Sequence, residues 1–334
     1  MNRRMPAQPS LRERRSFLFS LGAFGIGCNA SAYAAFSFPK RPLTLVVPYA
    51  VGGEADTTAR RMAAALALQL AQPVVVDNMP GASGGLAARR VLRARADGYT
   101  VMFGTPSEVV VAPAVNPQWG YQASDFSLIA MYGRAPMALV VRSGLGVQSI
   151  DAFIDKARDL PGRLSIGATG RQSLQALAAQ ALTRAADVQL LHVSYQSGSQ
   201  LMIDLVSGRI DAVMVPLPAA LLQARQFGHI VLGTLSAMRN PASPQTPTVN
   251  EGRTLKGVVF DMWAGLLAPA GLAPEVAEAL HRAMQVILAD ATFHALRVGL
   301  GDLPAHPMSA ADFEQFVLIE EARLRAVLRQ SPLI

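Results

Sequence analysis

Leu43-Thr44-Leu45-Val46-Val47-Pro48-Tyr49-Ala50-Val51-Gly52-Gly53-Glu54-Ala55-Asp56 passes from an apolar, β-branched run through a proline to a glycine pair and an acid. The run predicts a strand, the glycine pair a break, and Asp56 the opening of a helix that reaches about Ala71. Ala59, Met62, Ala63, Leu66 and Leu70 recur there at helical spacing, so one face of the helix packs on a sheet. Pro73-Val74-Val75-Val76 supplies the next strand. Strand, helix and strand in that order predict a parallel unit covered on both faces. Asp56 reads as the N-cap of a helix beginning at Thr57, a role that contributes about 1 kcal/mol. Its carboxylate could also orient loop amides or meet an amino group on a ligand.

The rhythm continues outward from this unit. Asn78–Gly85 is a loop, Leu86–Ala96 a helix, and Asp97-Gly98 a turn into Tyr99–Phe103. Apolar strands follow near 138–142, 164–168, 189–193, 211–215 and 230–235, with helices near 149–158, 173–186 and 199–207. About ten strands would strain a single open sheet, so two α/β units fit better. A proline-rich loop at 240–247 precedes a return segment holding Phe260, Trp263 and Leu266, and Pro274–Ala289 and Ala310–Gln330 are helical. A domain interrupted by another and then resumed produces that order. The expected division is 36–138 with 258–334 as the first domain and 139–257 as the second.

Composition narrows the function. At 334 residues, 51% hydrophobic and 16% charged, the chain has ample apolar surface for a core and is not disordered. The formal charge of +7 is concentrated at the N-terminus, where Arg3, Arg4, Arg12, Arg14 and Arg15 face one acid, Glu13. From residue 35 on, 25 basic residues are scattered among 22 acidic ones, a net of +3, with no basic stripe for nucleic acid. Residues 1–34 read as a secretory signal: a basic stretch, an apolar run from Phe17 to Gly27, and Ala32-Tyr33-Ala34 before the cleavage point. Arg14-Arg15-Ser16-Phe17-Leu18 also matches a twin-arginine export signal. The single cysteine, Cys28, falls inside this leader, with Gly25 where a lipid-attachment motif carries leucine. The mature chain therefore has neither disulfides nor a cysteine nucleophile.

Catalytic and metal motifs are thin. His192, His229, His281, His294 and His306 are dispersed, with no spacing that suits a metal, and no cofactor is expected. Gly81-Ala82-Ser83-Gly84-Gly85 matches the nucleophile elbow of hydrolases, which makes an exported serine hydrolase using Ser83 the alternative reading. In an elbow, however, the strand runs straight into the first glycine, and here Asp77-Asn78-Met79-Pro80 intervenes. More informative are the Gly-, Ser- and Thr-rich loops Tyr49–Asp56, Asn78–Gly85, Gly104–Ser107, Gly167–Ser173 and Ser194–Ser199. Each follows a strand and precedes a helix or turn, where unpaired N–H groups suit a carboxylate.

Pro48 to Asp56 resembles the opening of the Bug family, the periplasmic solute receptors of tripartite tricarboxylate transporters. The resemblance continues through Asp77-Asn78, Pro80-Gly81-Ala82, Asp97-Gly98-Tyr99-Thr100, Gly104-Thr105-Pro106, His192-Val193-Ser194-Tyr195 and Trp263–Gly271, covering about residues 38–330. It implies a two-domain periplasmic-binding-protein fold, each domain a mostly parallel sheet flanked by helices, closing as a hinged trap with no chemistry. The hinge strands fall near 136–142 and 254–262. By resemblance the first domain contacts solute through Tyr49, Gly53, Ala55, Asp56, Thr105 and Ser107, and the second through Thr169, Gly170, Ser173 and Tyr195. The implied partners are a small organic solute and membrane permease subunits, with a periplasmic monomer as the acting form; a sensing role for a membrane signalling protein would use the same closed state. The chain departs from the family pattern at Glu54, Ala176, Gln196 and Val215-Pro216, which makes the cleft less polar or less positive. An amino acid, an aromatic acid or a nicotinamide-type compound therefore stands beside the plain carboxylates as an expected solute.

Overall fold

The computed structural model describes residues 38–304 and 308–333. The leader assigned to residues 1–34, its arginine pair and Cys28, together with His306, lie outside them. β1 (Leu43–Val47) runs into the glycine loop, and α1 (Glu54–Leu70) leaves it. The helix starts earlier than expected, at Glu54 instead of Thr57. Gly53 holds the cap position in an extended conformation, and the Thr57 N–H donates to its carbonyl at 3.0 Å. Asp56 therefore sits inside the first turn and is not the N-cap. Its Oδ2 reaches back to accept from the Gly52 N–H at 2.9 Å. The glycine pair causes the shift: Gly52 at φ 81° folds the loop onto the helix, which puts an acid at the third helical position within reach.

β2 (Val74–Asn78), α2 (Gly85–Leu92) and β3 (Thr100–Gly104) complete the first set of units. α2 ends before the expected Ala96 because its last turn tightens, the Ala94 N–H bonding the Val91 carbonyl. A π-helical turn, Ser107–Val111, leads into the short α3 (Ala112–Val115). β4 (Phe126–Val141) is one long strand where the pattern suggested only its last residues. α4 (Ile150–Asp159), β5 (Ser165–Thr169), α5 (Leu174–Ala185), β6 (Leu191–Tyr195), α6 (Gly198–Val206) and β7 (Ala212–Pro216) then alternate as expected. α7 (Leu217–Phe227), which the pattern did not separate from its flanking strands, precedes β8 (Ile230–Thr234). β9 (Asp261–Pro269), α8 (Pro274–Ala289), α9 (Ala291–Gly299), β10 (Leu303–Pro304) and α10 (Ala310–Gln330) close the chain.

The strands form one curled sheet in the order β2-β1-β3-β9-β4-β7-β5-β6, with β8 and β10 also paired to β4. The outer strands are parallel: β2, β1 and β3 at one end, β7, β5 and β6 at the other. β4 joins the two ends. Up to Pro136 it runs antiparallel to β9, and from Met137 onward it runs antiparallel to β7 and β8. At that switch the Met137 N–H donates to the Phe260 carbonyl at 2.8 Å, and the Phe260 N–H to Leu235 at 2.8 Å.

Burial on both faces explains the apolar strand sequences. Leu43, Leu45 and Val47 pack with Met62, Leu66 and Leu280 on one side of β1, whereas Val46 packs with Val91 and Met102 on the other. β4 repeats the alternation, Ala138 and Val140 facing Leu201, Leu205 and Leu217 while Leu139 and Val141 join Phe153 and Leu177. Trp263 is fully buried, its ring edge-on to Phe313 at 5.6 Å.

Candidate ligand cleft

α1, α5, α6 and α7 each begin just past the C-terminal end of a strand, and residues at the start of each line one cavity of about 1160 Å³. First-turn N–H groups have no partner inside their helix and carry partial positive charge. Helix N-termini from both ends of the sheet therefore surround the cavity, although α7 opens with Pro216 and Pro218, which have no N–H, and the Leu174 N–H of α5 is bonded to Ser107. Ser173 caps α5, accepting from the Ala176 N–H at 3.1 Å, and Ser197 caps α6, accepting from the Gln200 N–H at 3.2 Å.

Nine of the expected contact residues line this cavity: Tyr49, Gly53, Ala55, Thr105, Ser107, Thr169, Gly170, Ser173 and Tyr195. Asp56 does not. It is buried behind the loop, where its carboxylate accepts from Gly52, from Arg60 Nε at 3.0 Å and from Asn78 Nδ2 at 2.8 Å. Asn78 Nδ2 also donates to the Tyr49 carbonyl at 3.0 Å, so Asp56 and Asn78 together brace the Tyr49–Gly53 wall. Burial pushes the Asp56 carboxyl up, but the donors around it outweigh burial and hold it below the usual carboxylate range.

Glu108, which the sequence reading passed over, organises the floor. It is fully buried on the π-helical turn. Its carboxyl accepts from the Thr105 N–H and, at 3.0 Å, from Thr105 Oγ1, while the Tyr49 hydroxyl lies 3.3 Å from Oε2 and 2.8 Å from Thr105 Oγ1. Burial pushes the Glu108 carboxyl up to about 8 against these hydrogen bonds, so it is mainly neutral at pH 7. The same burial, with Glu108 beside it, raises the Tyr49 phenol well above its ordinary value. A lone acid in the apolar run Ser107–Val111 was the sequence signal for this residue.

The two sides of the cavity touch. Ser107 Oγ accepts from the Leu174 N–H at 3.1 Å and donates to Gln175 Oε1 at 3.4 Å. Ser83 Oγ accepts from the Gln172 N–H at 3.0 Å. That contact needs a glycine opposite: Gly170 has φ 78°, and a Cβ there would come 2.6 Å from Ser83 Oγ. Ser83 thus meets backbone, and among the described residues lining the cavity there is no histidine to activate it. Tyr195 turns its hydroxyl onto Asp204 Oδ2 at 3.0 Å. Burial, reinforced by Asp204, pushes its phenol up to about 12, so it stays protonated.

Charged groups are sparse and mostly paired. Arg297, only 4% exposed, holds Asp302 through Nε at 3.2 Å and Nη2 at 3.1 Å, donates to the Tyr132 carbonyl, and stacks 3.9 Å from the Tyr132 ring centroid. Glu54 also lines the cavity and accepts from Thr58 Oγ1 at 3.2 Å. Among the described residues no group of histidines and acids could hold a metal, and no helix is long and apolar enough to cross a membrane.

Residues 58–333 match the model of the tripartite tricarboxylate transporter family receptor. The chain is 33% identical over 246 residues, 73% of each chain, to a protein of Pseudomonas sp. strain P51 encoded between tcbD and tcbE. It is 29% identical to BugT of Bordetella pertussis, over 76% of this chain and 78% of BugT. Among solved structures, Rpa4515 of R. palustris with adipate superposes with a TM-score of 0.84 at 29% identity, over 88% of this chain and 98% of that one. MatC of Rhodopseudomonas palustris with bound malate gives 0.82 at 28% identity, over 87% and 100%.

Proposed function

The chain belongs to the tripartite tricarboxylate transporter receptor family, and from that premise we propose that it captures a small carboxylated solute in the periplasm and delivers it to membrane permease subunits. The observation that carries this reading is the convergence of the α1, α5, α6 and α7 N-termini on one cavity. Such a ring stabilises an anion without a dedicated cation, which fits a cleft whose buried arginine, Arg297, is already paired with Asp302. The adipate and malate bound by related proteins are anions of this class.

On this reading the solute carboxylate meets the N–H groups of Gly53 and Ala55 at the start of α1 and the hydroxyls of Thr105, Ser107 and Ser173, with Tyr49, Thr169, Gly170 and Tyr195 shaping the walls. Residues 36–138 with 258–334 form one moving domain and 139–257 the other. Closure is favoured because a solute bound between them contacts both at once. The protein acts as a receptor and transforms nothing, which leaves Ser83 a role in closure and none in hydrolysis.

Thermal unfolding against a panel of dicarboxylates, amino acids, aromatic acids and nicotinamide-type compounds tests the assignment. A solute at a hundred times its Kd adds about 2.7 kcal/mol and raises the midpoint by several degrees. A selective shift is the expected result. A panel without any shift, on protein shown by mass spectrometry to carry no co-purified solute, would sink the carboxylate reading.

A further inference from the structure

Resting on the receptor reading, we propose that the solute also carries an ammonium group and that Glu54 receives it, so that the cleft selects amino acids over the corresponding plain carboxylates. Glu54 occupies the first position of α1, between Gly53 and Ala55, and lines the cavity. Among the described residues it accepts one hydrogen bond, from Thr58 Oγ1, and forms no ion pair. Three of the surrounding cations leave it uncovered. Arg297 is committed to Asp302, Tyr132 and the Tyr132 ring, Arg134 lies 3.9 Å from Asp261, and Arg61 acts on Glu54 only through its field.

A second open acceptor lines the same cavity. Gln223 of α7 is 5% exposed and lines the same space, and its Oε1 has no hydrogen-bond partner among the described residues. A buried amide oxygen without a donor is an exception that calls for a ligand or water. Glu54 and Gln223 can only accept at these atoms, and a second solute carboxylate would place like charge beside Glu54. An ammonium supplies three donors and the missing positive charge. Because Glu54 shares its turn with the N–H groups of Gly53 and Ala55, the solute's two charges lie close together, as in an α-amino acid. Glu54 belongs to α1 and Gln223 to α7, so donors directed at both favour the closed form. Glu54 is exposed to the cleft; the protein groups around its carboxyl and the neighbouring Asp302 raise it, with Thr58, Arg297 and Arg61 pulling it back.

Calorimetric titration with matched pairs tests this: aspartate against malate, and 2-aminoadipate against adipate. The aminated member of a pair should bind about tenfold tighter or better, the range of a hydrogen bond to a charged group. Glu54→Gln should remove that preference while retaining the plain carboxylate, and Gln223→Leu should reduce it several-fold. Thermal unfolding of each unliganded variant establishes that it is folded, and Glu54→Asp, which keeps the charge and withdraws it by one methylene, provides an intermediate preference. Equal affinity within each pair, or a preference unchanged in Glu54→Gln, overturns the inference and leaves the receptor reading intact. No binding by any of the four compounds overturns the inference, and the receptor reading then stands or falls on the wider panel above.

Discussion

Glu108 shows how one buried side chain ties the cleft to pH. Its carboxyl, near 4.5 when the chain is unfolded, is pushed up to about 8 in the fold. A raised folded value means that the native state holds the proton more tightly. The stabilisation is therefore complete below about 4.5 and is lost as pH rises through about 8. Unfolding temperature should fall between pH 5 and pH 9, and Glu108→Gln, which mimics the neutral acid, should flatten that fall at little cost near pH 5. An unchanged pH profile in the variant would show that Glu108 is not the group that titrates. Asp56 has the opposite sign, its lowered value giving stability that is lost as pH drops through the acid range. Asp56→Ala leaves the Gly52 N–H without its side-chain acceptor and the Asn78 amide with only the Tyr49 carbonyl. It should cost about 1–3 kcal/mol in denaturant unfolding and weaken solute binding through the loop.

At the scale of elements, the cleft depends on where helices start. Ser173 both caps α5 and faces the cavity, so Ser173→Ala should cost about 1 kcal/mol of stability and lower solute affinity as well. The loop contact between Ser83 and Gln172 depends on the glycine opposite. Gly170→Ala would put a side chain into a left-handed position and into the Ser83 hydroxyl. It should weaken solute binding, and adding Ser83→Ala should restore part of the loss; titration of the single and double variants checks this, and independent additive losses would count against the contact. The element sequence was readable where burial imposes a pattern. β1, α1, β2 and the units around β5 and β6 announced themselves because strands buried on both faces read as unbroken apolar runs. β4 was read only at its end. The part before Met137 includes Gly133, Arg134 and Pro136, and it is held as a strand by its long pairing with β9. α7 was hidden because Leu217-Pro218-Ala219-Ala220-Leu221 continues the apolar character of β7, and its only start signals were Pro216 and Pro218.

For the whole molecule, the decisive feature is β4 changing partners between Pro136 and Met137. Bending there, with the Phe260 and Leu235 connections, is the expected route of closure. Small-angle scattering should show a smaller radius of gyration when a solute from the panel binds, and amide exchange should slow around Met137, Leu235 and Phe260. A radius that does not change on binding would mean that the solute enters a cleft already closed.

What the sequence determined by itself was the set of parallel α/β units and the loops at their carboxyl ends, because side-chain periodicity and glycine placement are local properties. The list of cavity-lining loop residues followed from the same local reading combined with the family resemblance. Only the tertiary structure decided that Asp56 braces the wall from behind, that Glu108 lies beneath Tyr49 and Thr105, and that Glu54 and Gln223 open onto one space from separate helices. Those relations join residues far apart in the chain, and burial and charge at each position are set by what the fold brings beside it.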